Sequence, residues 1–306
     1  MSHMVSRERL AHTARTCSLR ASHLLASLIF RRQLASVVSP DVALIISDLE
    51  TEGVHVTTVD RLVTDGRRRI VDAASRLLGD EAVRQNPALW VRATSSTDLT
   101  ADALLARVPE LYLLGLDAHI LRVAQQYLKL PVAYHGAVFR HSLVDGELSG
   151  PRLWHQDAED FHVLRMVVYL NDVAAGGGPF EYIPRSLGVT YRDFHGCSDH
   201  LTDDQVERVV PRDRWKRVAG PTGTVVLCDT AKVFHRESIQ TERERSVIMI
   251  GYSSRRPSGM DLAMAHFPVE RLAPAMLKIV PAINHGHVFG WRRAAEPDTV
   301  PLPSSA

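Results

Sequence analysis

"LWHQDAEDFHVLRMVVYLNDV", residues 153–173, is the stretch whose reading decides the fold. Its second half is a run of Val, Leu, Met and Tyr with the length and make-up of a buried strand. Its head places Trp154, His155, Gln156 and Asp157 immediately before that run. An extended chain sends residues i and i+2 to one face, so His155 and Asp157 point the same way. An imidazole and a carboxylate converging beside a sheet are either two parts of a metal site or a hydrogen-bonded pair at a strand end.

Alone, the pair means little. With 15 His and 21 Asp in the chain, chance supplies about one His-x-Asp. Context must raise it above chance. "VAYHGAVFRHSL" (132–143), "VLRMVVYLNDV" (163–173), "FEYIP" (180–184), "GTVVLCD" (223–229) and "RSVIMIGYSS" (245–254) are β-branched or aromatic runs punctuated by Gly, Pro and Asp. Short strands without interleaved helices indicate an antiparallel sandwich or barrel.

The first 130 residues read differently. Helix is expected over 5–38, stopped near Ser39-Pro40, over 60–79, stopped at Gly79, and over 100–128 with a break near Pro109. "GVHVTTV" (53–59) alternates like a strand. The polar segment 189–217 holds Thr202 and Gln205 at capping-box spacing and reads as a helical insertion outside the barrel. The expected division is a cloning scar at 1–4, a mostly helical region at 5–131 packed on the barrel, a core at 132–295, and a flexible Pro- and Ser-rich tail at 296–306.

Composition narrows the function. At 45% hydrophobic, 23% charged and a net charge of +1, the chain is globular and offers no field for nucleic acid or an anionic membrane. "GRRRI" (66–70), the densest basic run, reads as an exposed helix face. Three scattered cysteines (17, 197, 228) form neither a zinc pattern nor a disulfide framework, which favours a reducing, cytoplasmic setting. "LLASLIF" (24–30) is too short to span a bilayer.

A facial metal triad needs a second His, from a later strand of the same barrel. His235 follows the apolar run 225–228, and Arg245 opens the strand after it. An Arg facing into a barrel needs a carboxylate partner, and its fork suits the distal carboxylate of a dicarboxylic acid. His162 is a rival third ligand, Glu237 a weak one, and Arg243 an alternative to Arg245.

"WHQD", "YLNDV", "GGGPFEYIPRS" and "GTVVLCDTAKVFHR" with the trailing Arg245 together resemble the phytanoyl-CoA dioxygenase family of Fe(II)/2-oxoglutarate oxygenases, over about residues 132–254. The resemblance implies a double-stranded β-helix (jelly roll, cupin-like) core with N-terminal helices around it. It makes His155, Asp157 and His235 the catalytic iron ligands and Arg245 the 2-oxoglutarate clamp. Tyr169 falls where an aromatic contact to the co-substrate is common, with Arg140 a further candidate at that end. The implied cofactors are Fe(II), 2-oxoglutarate and O2, with ascorbate helpful in vitro, and the implied partner is a small molecule. Succinate and CO2 would be released, and the carboxylate of Asp157 favours hydroxylation over halogenation. Three positions depart from the family pattern: Arg185 and Leu187 in Pro184-Arg185-Ser186-Leu187, where Pro-Gly-Ser-His is usual, and Glu237 where a small residue is usual; Arg185 is thereby a candidate for the substrate pocket. Competing readings are a cupin-like metal enzyme without 2-oxoglutarate and a non-enzymatic barrel module.

Overall fold

The structure is a computed structural model that describes residues 21, 23–30, 34, 38–93, 95–194, 200–265 and 269–292. The expected scar at 1–4, most of the expected helix over 5–38, Cys17, Cys197 and the tail at 296–306 lie outside the described residues.

Among the described residues ten strands run in chain order: β1 (Val54–Thr58), β2 (Trp90–Arg92), β3 (Ser96–Leu99), β4 (Val132–Ser142), β5 (Leu164–Tyr169), β6 (Phe180–Tyr182), β7 (Lys216–Val218), β8 (Thr224–Asp229), β9 (His235–Glu237) and β10 (Arg245–Ser254). They form a seven-stranded sheet, β1-β8-β5-β10-β4-β3-β2, and a three-stranded sheet, β7-β6-β9. Every pairing is antiparallel. The core is a double-stranded β-helix with helices around it.

The central strands read as continuous apolar runs because both faces of the large sheet are covered. Alternation deals their side chains to two cores. Leu164, Met166, Val168, Val225, Leu227, Ile248, Ile250 and Tyr252 point outward and pack with the helices. Val167, Tyr169, Val226, Cys228 and Val247 point inward, against Phe180 and Val218 of the small sheet. The inter-sheet space is where the sequence places its chemistry.

The region expected to be mostly helical also supplies β1, β2 and β3, and β1 pairs with β8. Its helices follow local signals. The break at Pro109 separates Ala101–Arg107 from Pro109–Leu113, and a third helix, Ala118–Leu128, starts on the Asp117 cap. Gly66–Gly79 ends at its glycine, buries Ile70, Ala73, Ala74 and Leu77, and exposes Arg67, Arg68 and Arg69. The expected helical insertion at 189–217 needs correction. Its capping box forms on Thr202 and Gln205 but caps only Asp203–Glu207, and the segment ends in β7, which pairs with β6. Pro211 and the demand of β6 for a partner limit helix there. No described helix is long and apolar enough to cross a membrane.

Candidate metal centre and its cavity

His155 and His235 face each other as an antiparallel bridge. Each backbone N–H donates to the other's carbonyl, at 3.1 and 3.0 Å. Directly opposed residues share a face, so the imidazoles meet with centroids 4.4 Å apart. Asp157, two residues on, is pinned by its own N–H to Thr230 O at 2.9 Å. Its Oδ1 lies 3.7 Å from His155 Nε2 and 3.8 Å from His235 Nε2. Among the described residues these three form the one His/Cys/Asp/Glu group able to hold a metal ion, with ligand atoms within 4.8 Å of one another.

The hydrogen bonds around the group fit a metal. His155 Nδ1 is 2.8 Å from Leu153 O, and His235 Nδ1 is 3.0 Å from Val233 O. A carbonyl only accepts, so each Nδ1 carries a proton and each Nε2 is the atom turned to the centre as the metal-binding nitrogen. Burial first, then His155 and Arg165, lower the His235 pKa to about 4 against the opposing pull of Asp157 and the Val233 carbonyl, which keeps it neutral. Burial pushes the Asp157 carboxyl up, but Arg165, then His235 and His155, outweigh it and hold it well below the usual range. Two imidazoles and one carboxylate are a donor set for a divalent ion at bonds of about 2.1 Å.

Arg165 is the residue the sequence reading missed. Its Nε donates to Asp157 Oδ2 at 3.0 Å and its Nη2 pairs with Glu159, with Oδ1 of Asp157 turned toward the histidines. Gly251, opposite Arg165 across the β5–β10 pairing, makes room for it. A Cβ at Gly251 would stand 2.6 Å from Arg165 Nη1 and 3.0 Å from His135 Nδ1. A lone Arg inside "VLRMVVYL" was the available signal, since such a charge is buried only when paired.

The triad opens into a cavity of about 210 Å³ between the sheets. Arg245, Arg140, Glu237, Phe180 and Met249 line it, with the triad and Arg165. Arg245 is 3% exposed. Its Nη1 donates to Gly178 O at 2.6 Å, and its Nη2 pairs with Glu237. Gly178 has φ +71°, and a Cβ there would run into Gln240, so the "GGGPF" turn is a glycine-only turn that presents its carbonyl to Arg245. Arg140 lines the cavity with Nε and Nη2 engaged by Asp98, both at 2.7 Å.

Tyr169 lies on the inward face but does not line the cavity. The small sheet closes over it. Its hydroxyl donates to Val218 O at 2.7 Å and accepts from Phe180 N at 3.0 Å, so in this structure Tyr169, expected to contact the co-substrate, braces the two sheets beside Arg245. Arg243 is exposed. Arg185 packs by Gly53 instead of lining the cavity. His162 pairs with Asp229, whose Oδ2 also accepts from Tyr127 at 2.6 Å, and stands apart from the triad.

No protein-family model matches the sequence, and no curated protein matches it. Solved structures do. SnoN, a non-heme alpha-ketoglutarate-dependent epimerase from nogalamycin biosynthesis, aligns with TM-score 0.52 and 16% identity, over 71% of this chain and 84% of its own. EctD from S. alaskensis, with 2-oxoglutarate and 5-hydroxyectoine, aligns with TM-score 0.51 and 21% identity, over 72% and 80%. HygX from Streptomyces hygroscopicus, with nickel and 2-oxoglutarate, gives TM-score 0.51 and 18% identity, over 71% and 88%. This chain has their fold. At such identities the likeness is one of fold alone, and the chemistry must be argued from the residues above.

Proposed function

We propose that the chain is an Fe(II)- and 2-oxo-acid-dependent oxygenase of the phytanoyl-CoA dioxygenase type, with 2-oxoglutarate the reference co-substrate, acting on a small organic molecule in bacterial specialised metabolism. One observation carries the reading: two imidazole Nε2 atoms and one Asp157 oxygen converge in a cavity that also holds Arg245. His155, Asp157 and His235 are the ligand set, and they leave one side of an ion open to the cavity. Fe(II) bound there would couple decarboxylation of a 2-oxo acid by O2 to oxidation of a substrate. SnoN, EctD and HygX, described above with an alpha-keto acid requirement or with 2-oxoglutarate bound, make the same cofactors the natural choice for this fold.

The chain's own residues do the rest. Arg165 keeps Asp157 ionised and turned so that one oxygen faces the centre. Phe180 stacks on His235 with centroids 5.6 Å apart and fixes the ring plane. The sheets exclude bulk water, which strengthens the ion pairs that line the cavity, Arg245 with Glu237 among them. Hydroxylation is the outcome proposed, and Asp157 supports it by filling the position a halide would need.

Anaerobic Fe(II) protein titrated with 2-oxoglutarate tests the reading. A visible charge-transfer band is expected, with iron lost in Asp157→Ala. Stoichiometric iron without a band for any 2-oxo acid refutes it. That result supports the second reading, a metal enzyme of this fold that uses no 2-oxo acid. The Glu237–Arg245 pair is the observation that favours the second reading.

A further inference from the structure

Glu237 stands two residues beyond His235 on β9, so both face the cavity. It is 6% exposed, and its carboxylate is held from two sides. Arg245 Nη2 pairs with one oxygen, and Gln240 Nε2 donates to the other. Gln240 is itself fixed, its Oε1 accepting from Arg152 Nη2 at 2.6 Å. Arg152 is fully buried and also donates to Leu143 O at 2.5 Å and Glu147 O at 2.7 Å. A relay of buried polar groups thus runs from Arg152 to Arg245 and seats the Glu237 carboxylate on the guanidinium. Arg245 meets any ligand with its charge already balanced by the chain.

We propose that Glu237 determines which 2-oxo acid the site accepts. It takes the place on Arg245 that the distal carboxylate of a dicarboxylic 2-oxo acid would need. The favoured co-substrate class is therefore a 2-oxo acid with an uncharged tail. The inference rests on the function proposed above. Such an acid engages the metal through its 2-oxo carboxylate end and leaves the Glu237–Arg245 pair intact. 2-Oxoglutarate must either bring a second carboxylate against one guanidinium or push Glu237 off it, which strands a buried charge on Gln240. Arg140 offers little relief, because Asp98 already engages its fork.

The test compares two probes, 2-oxoglutarate and 2-oxobutyrate, titrated anaerobically into Fe(II)-loaded wild type, Glu237→Gln and Glu237→Ser. The charge-transfer band reports each Kd. Iron stoichiometry and the thermal midpoint verify the variants. In wild type, 2-oxoglutarate is expected to bind no tighter than 2-oxobutyrate. In either variant the preference for 2-oxoglutarate should rise at least about ten-fold, through tighter binding of the dicarboxylate. A wild type that prefers 2-oxoglutarate by about a hundred-fold overturns the proposal without any variant. A preference unchanged in both folded variants overturns it as well, and leaves the proposed function standing because the bands are present. Loaded iron with no band for either acid, in all three proteins, removes the proposed function and this inference together.

Discussion

Replacing Arg165 by Met keeps the bulk of the stem and removes the charge. In the structure that charge serves two carboxylates, Asp157 through Nε at 3.0 Å and Glu159 through Nη2. Both acids are largely enclosed, and Glu159 is 5% exposed. Removing one partner of a buried ion pair costs about 3–5 kcal/mol, because the remaining charge is left unpaired. Arg165→Met should therefore lose about 3–5 kcal/mol of unfolding free energy in chelator-treated protein, read by denaturant unfolding. The double variant Arg165→Met/Glu159→Gln removes one stranded charge. It should recover about 1–3 kcal/mol relative to the single variant, a coupling that a double-mutant cycle isolates. Adding Fe(II) should narrow the deficit further, since the ion balances Asp157. A loss under about 1 kcal/mol for Arg165→Met, or additive costs in the cycle, would show that the pairing does not hold this side of the site together.

Gly251→Ala tests the same contact from the opposite strand. Its Cβ would meet Arg165 Nη1, so it should cost about 1–3 kcal/mol in wild type and far less in the Arg165→Met background. Equal costs in both backgrounds would refute the close approach. His23 gives a pH signature. Burial first, and then His162, lower its pKa to about 4. The unfolded chain binds a proton at about 6.5 that the folded chain refuses until about 4, so stability present above the first value drains away as pH falls to the second. Glu and Asp neighbours aside, the difference between His23→Asn and wild type should grow in favour of the variant across that window. A difference that stays flat with pH would exclude a buried neutral His23.

The legible part of the site was the part set by local periodicity. His155 and Asp157 share a side because extended chain alternates, and His235 and Glu237 share one for the same reason. The apolar runs announced β4, β5, β8 and β10, since their inward and outward residues both had to be buried. Capping chemistry marked Thr202, and Pro109 marked the break, because both act within one turn of helix.

What periodicity cannot give is depth and partnership. Tyr169 has the correct face, yet β6 and β7 roof it over, and no pattern within β5 states how far another sheet reaches. Arg140 and Arg245 were both readable as inward cations, but the ion pairs that occupy them come from Asp98 on β3 and Glu237 on β9. The orientation of Asp157 depends on Arg165, whose space depends on a missing side chain at Gly251, 86 positions away in sequence. The sequence by itself thus determined the strand periodicity and the residue types of a metal site. The tertiary structure alone decided which charges arrive already neutralised, because that depends on pairings between strands that are distant in the chain.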